Sequence, residues 1–392
     1  MAPIRVLVVD DSLVIRRVLC DALASDPEIE ICGTAPDGGI ALSKIPLLKP
    51  DVITLDVEMP NVSGIETLKE IRKVNPKLPV IMFSTLTERG AGITLDALSL
   101  GASDYATKPH GTGSLEETRS RIQQELIPKV KALCHRAKLI PPKWAPRPTT
   151  RAEAHAIPRA SSLGGQIDVL VIGTSTGGPN ALAVVLPRIR KDFPVPIVIV
   201  QHMPPVFTRL LAERLQKQSA IRIQEGQAGA VLKPGEAWIA PGDFHMTVER
   251  EERVVKLAMN QQPPENSCRP AVDVLFRSVA RVYGANALGV VLTGMGSDGL
   301  LGAKQMKSKG AHVLVQDEAS SVVWGMPGQV AAAGLADGIY PLEEISTEVE
   351  RRVGISHLME ETRNSQRVAP MVPGADPRRT STVTLSTGKD RQ

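Results

Sequence analysis

The sequence predicts two α/β domains, each built around a sheet of mostly parallel strands. The chain has 392 residues, more than the roughly 250 to 300 at which a single hydrophobic core stops growing. Short apolar runs alternate with amphipathic stretches over the first third of the chain, and the pattern starts again at Asp168. This alternation is typical of parallel strands covered by helices. A stretch rich in Pro, Arg and Ala separates the two series.

The first series predicts five β-α units and a domain over residues 1–133. Ser12 is a suitable N-cap for the first helix, because apolar residues follow it at helical spacing. The helical periodicity fades from about Pro128. The predicted strands are the apolar runs 6–9, 29–31, 52–55, 80–83 and 105–106.

The second series predicts a doubly wound, mostly parallel α/β domain over residues 166–354. Buried strands are predicted at 169–172, 197–200, 288–292 and 313–315, where the apolar runs are continuous. Residues 134–165, rich in proline, are predicted to be a linker. Residues 355–392 are predicted to be a disordered tail, because few large apolar side chains occur there to offset the entropy of ordering.

Composition argues against several classes of protein. The 46 Lys and Arg nearly balance the 42 Asp and Glu, so the sequence offers little support for nucleic-acid binding. The four cysteines are widely spaced, which argues against a zinc site or a disulfide framework and favours a reducing cytoplasm. The start of the chain runs directly into a strand-like segment and no long apolar run follows. We therefore expect neither a signal peptide nor membrane insertion.

Acidic residues follow two strands of the first series. Asp10 and Asp11 come directly after the first strand, and Asp56 ends the third. The carboxyl ends of parallel strands share one edge of a sheet, so these side chains should lie close together. Carboxylates this close repel one another unless a cation lies between them, and Mg²⁺ prefers oxygen ligands.

A hydroxyl and an ammonium group complete this predicted cluster. Ser84 ends the fourth strand and Lys108 follows the fifth. With a metal ion bound, Asp56 could act as a nucleophile toward phosphorus, while Lys108 and Ser84 contact the transferred phosphoryl group. The alternative is that the aspartates only cap helices, but this does not explain why all four strand ends carry suitable residues.

The pattern over residues 3–133 resembles a response-regulator receiver domain. The resemblance implies a flavodoxin-like fold, a bound Mg²⁺ and a histidine kinase as the phosphoryl donor. It also implies these roles: Asp56 as phospho-acceptor, Asp10 and Asp11 as metal ligands with Asp56, the backbone carbonyl of Glu58 as a further ligand, Ser84 as the switch hydroxyl and Lys108 as the phosphoryl contact.

The second series begins with a glycine-rich turn around Ser175. The segment Gly173-Thr174-Ser175-Thr176-Gly177 lies between a predicted strand and a predicted helix. Gly-x-Ser-x-Gly in this context favours a sharp turn that exposes a nucleophilic serine near helix amides. A phosphate-binding loop is the alternative, but neither Gly-x-Gly-x-x-Gly nor Gly-Lys-Ser/Thr is present.

Two later strand ends supply partners for Ser175. His202 follows the strand 197–200 and is a candidate base, and Asp298 lies in a glycine-rich loop after the strand 288–292. Backbone amides around Met295 in that loop could bind an oxyanion. Asp298 could instead be a simple turn residue. The order serine, histidine, aspartate differs from that of α/β-hydrolases, which weakens that assignment.

The motifs Gly-Thr-Ser-Thr-Gly-Gly-Pro, Gln-His-Met-Pro and Thr-Gly-Met-Gly-Ser-Asp-Gly together resemble the catalytic domain of the chemotaxis protein-glutamate methylesterases. The resemblance covers roughly residues 166–354 and implies a triad of Ser175, His202 and Asp298. It implies hydrolysis of glutamate γ-methyl esters on methyl-accepting chemotaxis receptors, deamidation of receptor glutamines, and no cofactor for the esterase reaction.

Two alternative functions compete with this interpretation. A response regulator whose second half binds DNA or protein would need a helix-turn-helix pattern or a basic face, and glycine-rich strand-end loops occur instead. A hydrolase of another small ester or amide stays open from the residues alone, because a triad identifies acyl transfer and not the acyl group.

Overall fold

The computed structural model describes residues 2–108, 114–134 and 166–354. It contains two parallel sheets, each with helices on both faces, and confirms the predicted fold class. Nearly all of the predicted linker and the whole predicted tail lie outside the described residues. Within the described residues, no helix combines the length and the apolar character needed to cross a membrane.

The N-terminal sheet has five parallel strands in the order β2-β1-β3-β4-β5. This is the flavodoxin-like order, which places ligands beyond the carboxyl ends of β1 and β3. The strands are β1 Ile4–Val9, β2 Ile29–Ala35, β3 Val52–Asp56, β4 Val80–Ser84 and β5 Asp104–Thr107. The helices are α1 Leu13–Leu23, α2 Gly38–Leu48, α3 Gly64–Val74, α4 Glu88–Ser99 and α5 Leu115–Cys134.

Local sequence signals explain where these helices begin. The Ser12 hydroxyl accepts a hydrogen bond from the amide of Ile15 and caps α1, as predicted. Ser63 and Glu66 form a reciprocal capping box at the start of α3. In contrast, α5 does not fade at Pro128 but continues through it to Cys134. The apolar residues of α5 that keep a helical spacing and pack on the domain core are Ile122, Leu126, Val130 and Leu133. This packing outweighs the loss of one backbone donor at Pro128.

The C-terminal sheet has seven parallel strands in the order β14-β13-β12-β6-β7-β9-β8. The strands are β6 Val169–Thr174, β7 Ile197–Gln201, β8 Arg222–Glu225, β9 Glu236–Ile239, β12 Ala287–Val291, β13 His312–Gln316 and β14 Gly338–Tyr340, and a separate antiparallel hairpin is formed by β10 His245–Glu251 and β11 Val254–Asn260. The helices are α6 Gly178–Val185, α7 Phe207–Gln218, α8 Val272–Tyr283, α9 Leu300–Ser308, α10 Met326–Ala332 and α11 over residues 342–354.

Alternate residues of the central strands face two different cores. In β6, Leu170 and Ile172 pack with α6, α7 and α11, whereas Val169 and Val171 pack with α8, α9 and α10. This is the expected result of a strand's twofold side-chain period in a sheet covered on both faces. Strand order reverses at β6, which lies between β7 and β12. A crevice therefore opens at the carboxyl ends of these three strands.

The two domains pack against each other along α4 and β5 of the first and α6 and α7 of the second. The Tyr105 ring stacks on the Phe207 ring with centroids 4.9 Å apart. Asn180 donates a hydrogen bond of 2.8 Å to the carbonyl of Leu98. Ion pairs join the surface helices, with Arg209 on Glu88 and Arg214 on Asp96. One hydrophobic cluster runs through both domains.

Two glycines of the first domain should respond oppositely to an added methyl group. In Gly64→Ala the new Cβ would lie 2.0 Å from the carbonyl oxygen of Asp56, so the backbone must shift. We expect unfolding free energy to fall by about 1 to 3 kcal/mol. In Gly92→Ala, also in a helix, the new Cβ meets nothing within 4 Å, so the unfolding free energy should rise by up to about 1 kcal/mol. Urea denaturation of both variants is the measurement, and equal effects would contradict the packing.

Candidate functional site

Three carboxylates meet at the carboxyl edge of the N-terminal sheet. Oxygen atoms of Asp10, Asp11 and Asp56 all lie within 4.8 Å of one another. Asp10 and Asp56 are buried, and Asp11 is exposed. The strand ends thus bring these side chains together as the sequence predicts.

Lys108 makes the main cationic contact with this cluster. Its Nζ lies 2.7 Å from Asp56 Oδ2 and 3.0 Å from Asp10 Oδ2. Burial raises the pKa of Asp56 to about 6; Lys108 opposes this rise and Asp10 adds to it. Burial alone would lower the pKa of Lys108, but the contacts with Asp56 and Asp10 outweigh it, so this pKa is raised.

Ser84 and Glu58 lie beside the cluster. The Ser84 hydroxyl is buried and donates to the carbonyl of Gly90 at 3.2 Å. The amide of Glu58 donates to Asp56 Oδ1 at 3.3 Å, which fixes the backbone that follows β3. Ser84 is therefore near the cluster at a strand end but is hydrogen-bonded to the start of α4.

The cluster fits a divalent cation. Apart from their contacts with Lys108, Asp10 Oδ2 and Asp56 Oδ2 have no hydrogen-bond donor among the described residues, although both atoms are buried. Buried carboxylate oxygens without donors are costly unless a cation neutralises them. Oxygen atoms alone form this donor set, and Mg²⁺ prefers such ligands.

Ser175 occupies the turn between β6 and α6. Its amide donates to the carbonyl of Thr293 at 3.0 Å, and its own carbonyl accepts from the amide of Gly178 at 2.8 Å. Gly177 has φ of +79°, a left-handed conformation that favours glycine. A Cβ on Gly294 would lie 2.9 Å from the Cβ of Ser175, so only glycine permits this close approach of the two loops.

A glutamine that the sequence reasoning did not single out ties Ser175 to His202. The Gln201 Nε2 atom donates to the carbonyl of Ser175 at 3.0 Å and to that of His202 at 3.1 Å. Gln201 is buried at the end of β7. The sequence does contain a signal for this role, because Gln201 is a polar residue that ends an apolar strand directly before the candidate base.

His202 and Asp298 form a direct pair. His202 Nε2 lies 2.7 Å from Asp298 Oδ2. The carboxylate also accepts from the amides of Val272 at 2.6 Å, Asp273 at 2.9 Å and Gly299 at 3.0 Å, and from Asn266 Nδ2 at 2.9 Å. Two of those amides open α8, where a helix terminus favours negative charge. No local pattern in the sequence predicts this contribution of α8.

The pKa values of the pair move apart. Burial opposes ionisation of Asp298, but the hydrogen bonds from His202 and the amides outweigh it and lower its pKa. Burial would also lower the pKa of His202, but Asp298 and then Cys268 favour the protonated imidazole and raise this pKa to about 10. Asp298 is therefore held ionised, and in this arrangement it favours the protonated imidazole of His202.

A cavity of about 620 Å³ joins the two domains at these residues. Ser175, His202 and Met295 line it from the C-terminal domain, while Tyr105 and Lys108 belong to its N-terminal wall. Within the described residues, no hydrogen bond joins the Ser175 hydroxyl to His202, and the Nδ1 atom of His202 instead lies 3.5 Å from the Cys268 sulfur. The arrangement has the components for acyl transfer, with nucleophile and base facing one space.

Comparisons with known proteins find relatives for both parts of the chain. Residues 170–349 match the family described as CheB methylesterase, and residues 6–119 match the response regulator receiver domain. A protein-glutamate methylesterase/protein-glutamine glutaminase of Trichodesmium erythraeum is 52% identical over 354 residues, covering 90% of this chain and 100% of the relative. A relative with the same description from Nocardioides sp. is 49% identical, covering 90% of this chain and 96% of its own. The solved CheB methylesterase catalytic domain of Thermotoga maritima is 40% identical and covers 48% of this chain and 99% of that one, with a TM-score of 0.47.

Replacing Asp298 should lower the pKa of His202. Asp298→Asn removes the charge that favours the imidazolium, so the pKa should fall from about 10 toward the ordinary value of ~6.5. The measurement is an NMR titration of the imidazole protons, with the His202 signal identified by its absence in His202→Gln. Asp192→Asn, at a side chain that is 81% exposed, is the control. An unchanged pKa in Asp298→Asn would show that the pair does not form.

Proposed function

Since the chain belongs to the CheB methylesterase family and carries a receiver domain ahead of its catalytic domain, we propose that it is a chemotaxis adaptation enzyme acting on methyl-accepting chemotaxis receptors. It hydrolyses glutamate γ-methyl esters to glutamate and methanol and deamidates receptor glutamines. The observation that carries the proposal is that Ser175 and His202 line one cavity while Asp298 holds the imidazole of His202. We propose that the enzyme acts in the cytoplasm, where it would reach both the receptor and the kinase.

The proposed reaction is that of a serine hydrolase. His202 takes the proton of Ser175 as the hydroxyl oxygen attacks the ester carbonyl. Asp298 holds Nε2, so Nδ1 is the nitrogen that remains for this transfer. Asp298 stays ionised and stabilises the imidazolium. The tetrahedral oxyanion is bound by backbone amides, for which the Met295 loop is the candidate.

The second half of the reaction regenerates the enzyme. His202 returns the proton to the leaving oxygen, and methanol departs from the acyl enzyme. His202 then activates water, which hydrolyses the glutamyl ester of Ser175. Glutamine deamidation follows the same steps, with ammonia leaving in place of methanol. All of these roles fall to side chains and amides of the chain itself.

The receiver site supports control by phosphorylation. Asp56 is the proposed acceptor, a histidine kinase is the proposed donor, and Lys108 is positioned to contact the phosphoryl group. Asp10, Asp11, Asp56 and the Glu58 carbonyl would hold Mg²⁺. When bound, the ion would neutralise charge on the phosphoryl oxygens. The switch role of Ser84 requires its hydroxyl to leave the carbonyl of Gly90.

Packing between the domains supports inhibition by the unphosphorylated receiver. The Thr176 hydroxyl, next to Ser175, donates to Asp104 Oδ2 at 2.9 Å, and both groups are buried. Tyr105 stacks on Phe207 beside the same cavity. The receiver thereby forms part of the wall in front of the nucleophile and would restrict the approach of a receptor substrate.

Strand β5 connects the two sites. Asp104 and Tyr105 contact the catalytic domain, and Lys108, just beyond the end of the strand, contacts Asp56. Thr107 between them is bonded through its amide and hydroxyl to Glu125 of α5. A shift of Lys108 toward a phosphoryl group would therefore move a strand that is part of the interface.

Methanol release from methylated receptor membranes tests the catalytic proposal. The wild-type chain should release methanol faster when a small phosphodonor and Mg²⁺ are added. Ser175→Ala should lose activity by about 10³-fold or more, because the nucleophile is gone. Asp56→Asn should keep the basal rate and lose the stimulation. Release that is unaffected by Ser175→Ala would exclude the serine mechanism.

A charge reversal at the interface tests the inhibition. Asp96→Arg places two cations together at the Arg214 contact, now 2.6 Å, and should weaken docking of the receiver. We expect the unphosphorylated rate to rise about two- to tenfold, consistent with the modest energy of surface ion pairs. The double variant Asp96→Arg with Arg214→Asp should restore the wild-type rate.

A matched control separates this effect from a general change of charge. Glu70→Arg makes the same substitution at an exposed receiver residue whose ion pair is with Lys73 of its own helix. Its unphosphorylated rate should equal that of the wild type. If Asp96→Arg and Glu70→Arg behave alike, the α4 and α7 contact has no part in inhibition.

A further inference from the structure

A short turn ahead of α8 contacts both members of the His202 and Asp298 pair. We refer to Asn266, Ser267 and Cys268 as the 266–268 turn. Asn266 Nδ2 donates to Asp298 Oδ1 at 2.9 Å, and the Cys268 sulfur lies 3.5 Å from His202 Nδ1. The turn therefore reaches the pair from two sides, and all three residues line the cavity.

The backbone of the turn explains how two neighbouring side chains reach different partners. Asn266 and Ser267 have φ of +52° and +61°, in the left-handed region, which asparagine tolerates better than most residues. Reciprocal hydrogen bonds between Glu265 and Cys268, of 3.1 and 2.9 Å, close the turn. This closure directs Asn266 toward Asp298 and Cys268 toward His202.

We propose that Asn266 and Cys268 are positioning residues for the His202 and Asp298 pair, with Asn266 fixing the carboxylate and Cys268 holding Nδ1 until Ser175 takes its place. This inference rests on the proposed function, because it assigns His202 as the base for Ser175. Neither residue takes part in bond making; both act through the orientation of the pair.

The contacts of Asn266 support the first assignment. Besides His202, it is the one side chain that donates to Asp298 among the described residues. The same Nδ2 also donates to Asp273 Oδ2 at 3.0 Å. A neutral donor thus lies between two carboxylates that would otherwise repel each other. Burial and then the charge of Asp298 raise the pKa of Asp273 despite hydrogen bonds that oppose the rise.

The tautomer of His202 supports the second assignment. Nε2 must carry its proton to donate to Asp298 at 2.7 Å, so in the neutral ring Nδ1 is an acceptor. In the protonated ring Nδ1 donates to the Cys268 sulfur, a weak acceptor, and this contact favours the imidazolium. A hydroxyl is a stronger hydrogen-bonding group than a sulfur, so Ser175 can take the place of Cys268 at Nδ1 once the ring is neutral and substrate is bound.

Other charged groups near the pair are fixed by their own partners. Glu265 and Arg277 form a bidentate ion pair, and Asp273 is held by the amide of Gly302. Across the cavity the receiver contributes three cationic side chains and two carboxylates: Lys108, Arg121, Lys129, Asp104 and Glu125. These groups, together with Asp273, Glu265, Arg277 and His245, face the pair and are left unchanged in the variants below.

The test is the pKa of His202 in the full-length chain, measured by NMR titration. Asn266→Asp adds a negative charge beside Asp298, favours the imidazolium and should raise the pKa by about one unit. Cys268→Ala removes a contact that raises this pKa and should lower it by roughly half a unit. Cys268→Ser, which keeps a hydrogen-bond acceptor, should stay closer to the wild type.

Activity gives a second readout. In phosphodonor-stimulated methanol release, Asn266→Asp should lower kcat roughly 10-fold, consistent with loss of a hydrogen bond to a charged group, and leave KM unchanged. The acidic limb of its pH profile should move to higher pH, and that of Cys268→Ala to lower pH. Asn266→Gly, which keeps the left-handed backbone, should also lower kcat and serves if Asn266→Asp does not fold.

The control is Glu252→Gly, which substitutes an exposed residue that also has a left-handed backbone, with φ of +53°, in the turn between β10 and β11 and outside the cavity lining. The pKa of His202 and the pH profile of this variant should match those of the wild type. Shifts that are absent, or that have the same sign in Asn266→Asp and Cys268→Ala, would overturn the proposal. The titration needs no substrate, so opposite shifts without any methanol release by the wild type would reject the proposed function and leave the positioning roles intact.

Discussion

The carboxylate of Asp298 is the group on which the catalytic domain depends, because it accepts hydrogen bonds from three separate parts of the chain. Its donors are the imidazole of His202, the first amides of α8 with the adjacent turn, and the amide of Gly299. A buried charge without such donors would cost several kcal/mol. The strand ends and α8 are thereby held in one arrangement, and the histidine tautomer is set by the same bonds.

A second constraint acts at the edge of the receiver sheet. Strand β5 is only four residues long, yet its residues and the adjacent Lys108 contact the Asp10 and Asp56 carboxylates, α5 and the catalytic domain. Strands buried on both sides have little freedom to move independently of their contacts. In the proposed mechanism, a change at Asp56 would reach Ser175 most directly through β5, and the ion pairs of α4 would adjust the strength of docking around it.

Sequence alone predicts most of the fold, since continuous apolar runs and strand-end motifs are local signals. It also predicts which side chains meet, because Asp10, Asp56, Ser175, His202 and Asp298 all follow parallel strands. It could not predict the amides of α8 at Asp298, since these meet only after the chain between them folds. The sequence analysis has the helical periodicity fading from about Pro128, whereas α5 continues to Cys134, because tertiary packing outweighs the local effect of proline.

The cavity has one wall from each domain, and this limits how freely the two halves could be exchanged. A receiver taken from an unrelated regulator would bring its own phosphorylation chemistry but not the partners of Thr176, Phe207 and Arg214. Such a chimera would be phosphorylated without transmitting the signal. Substitutions on β5 and α4 must therefore be matched by changes on α6 and α7, so the two domains are expected to diversify as one inherited unit.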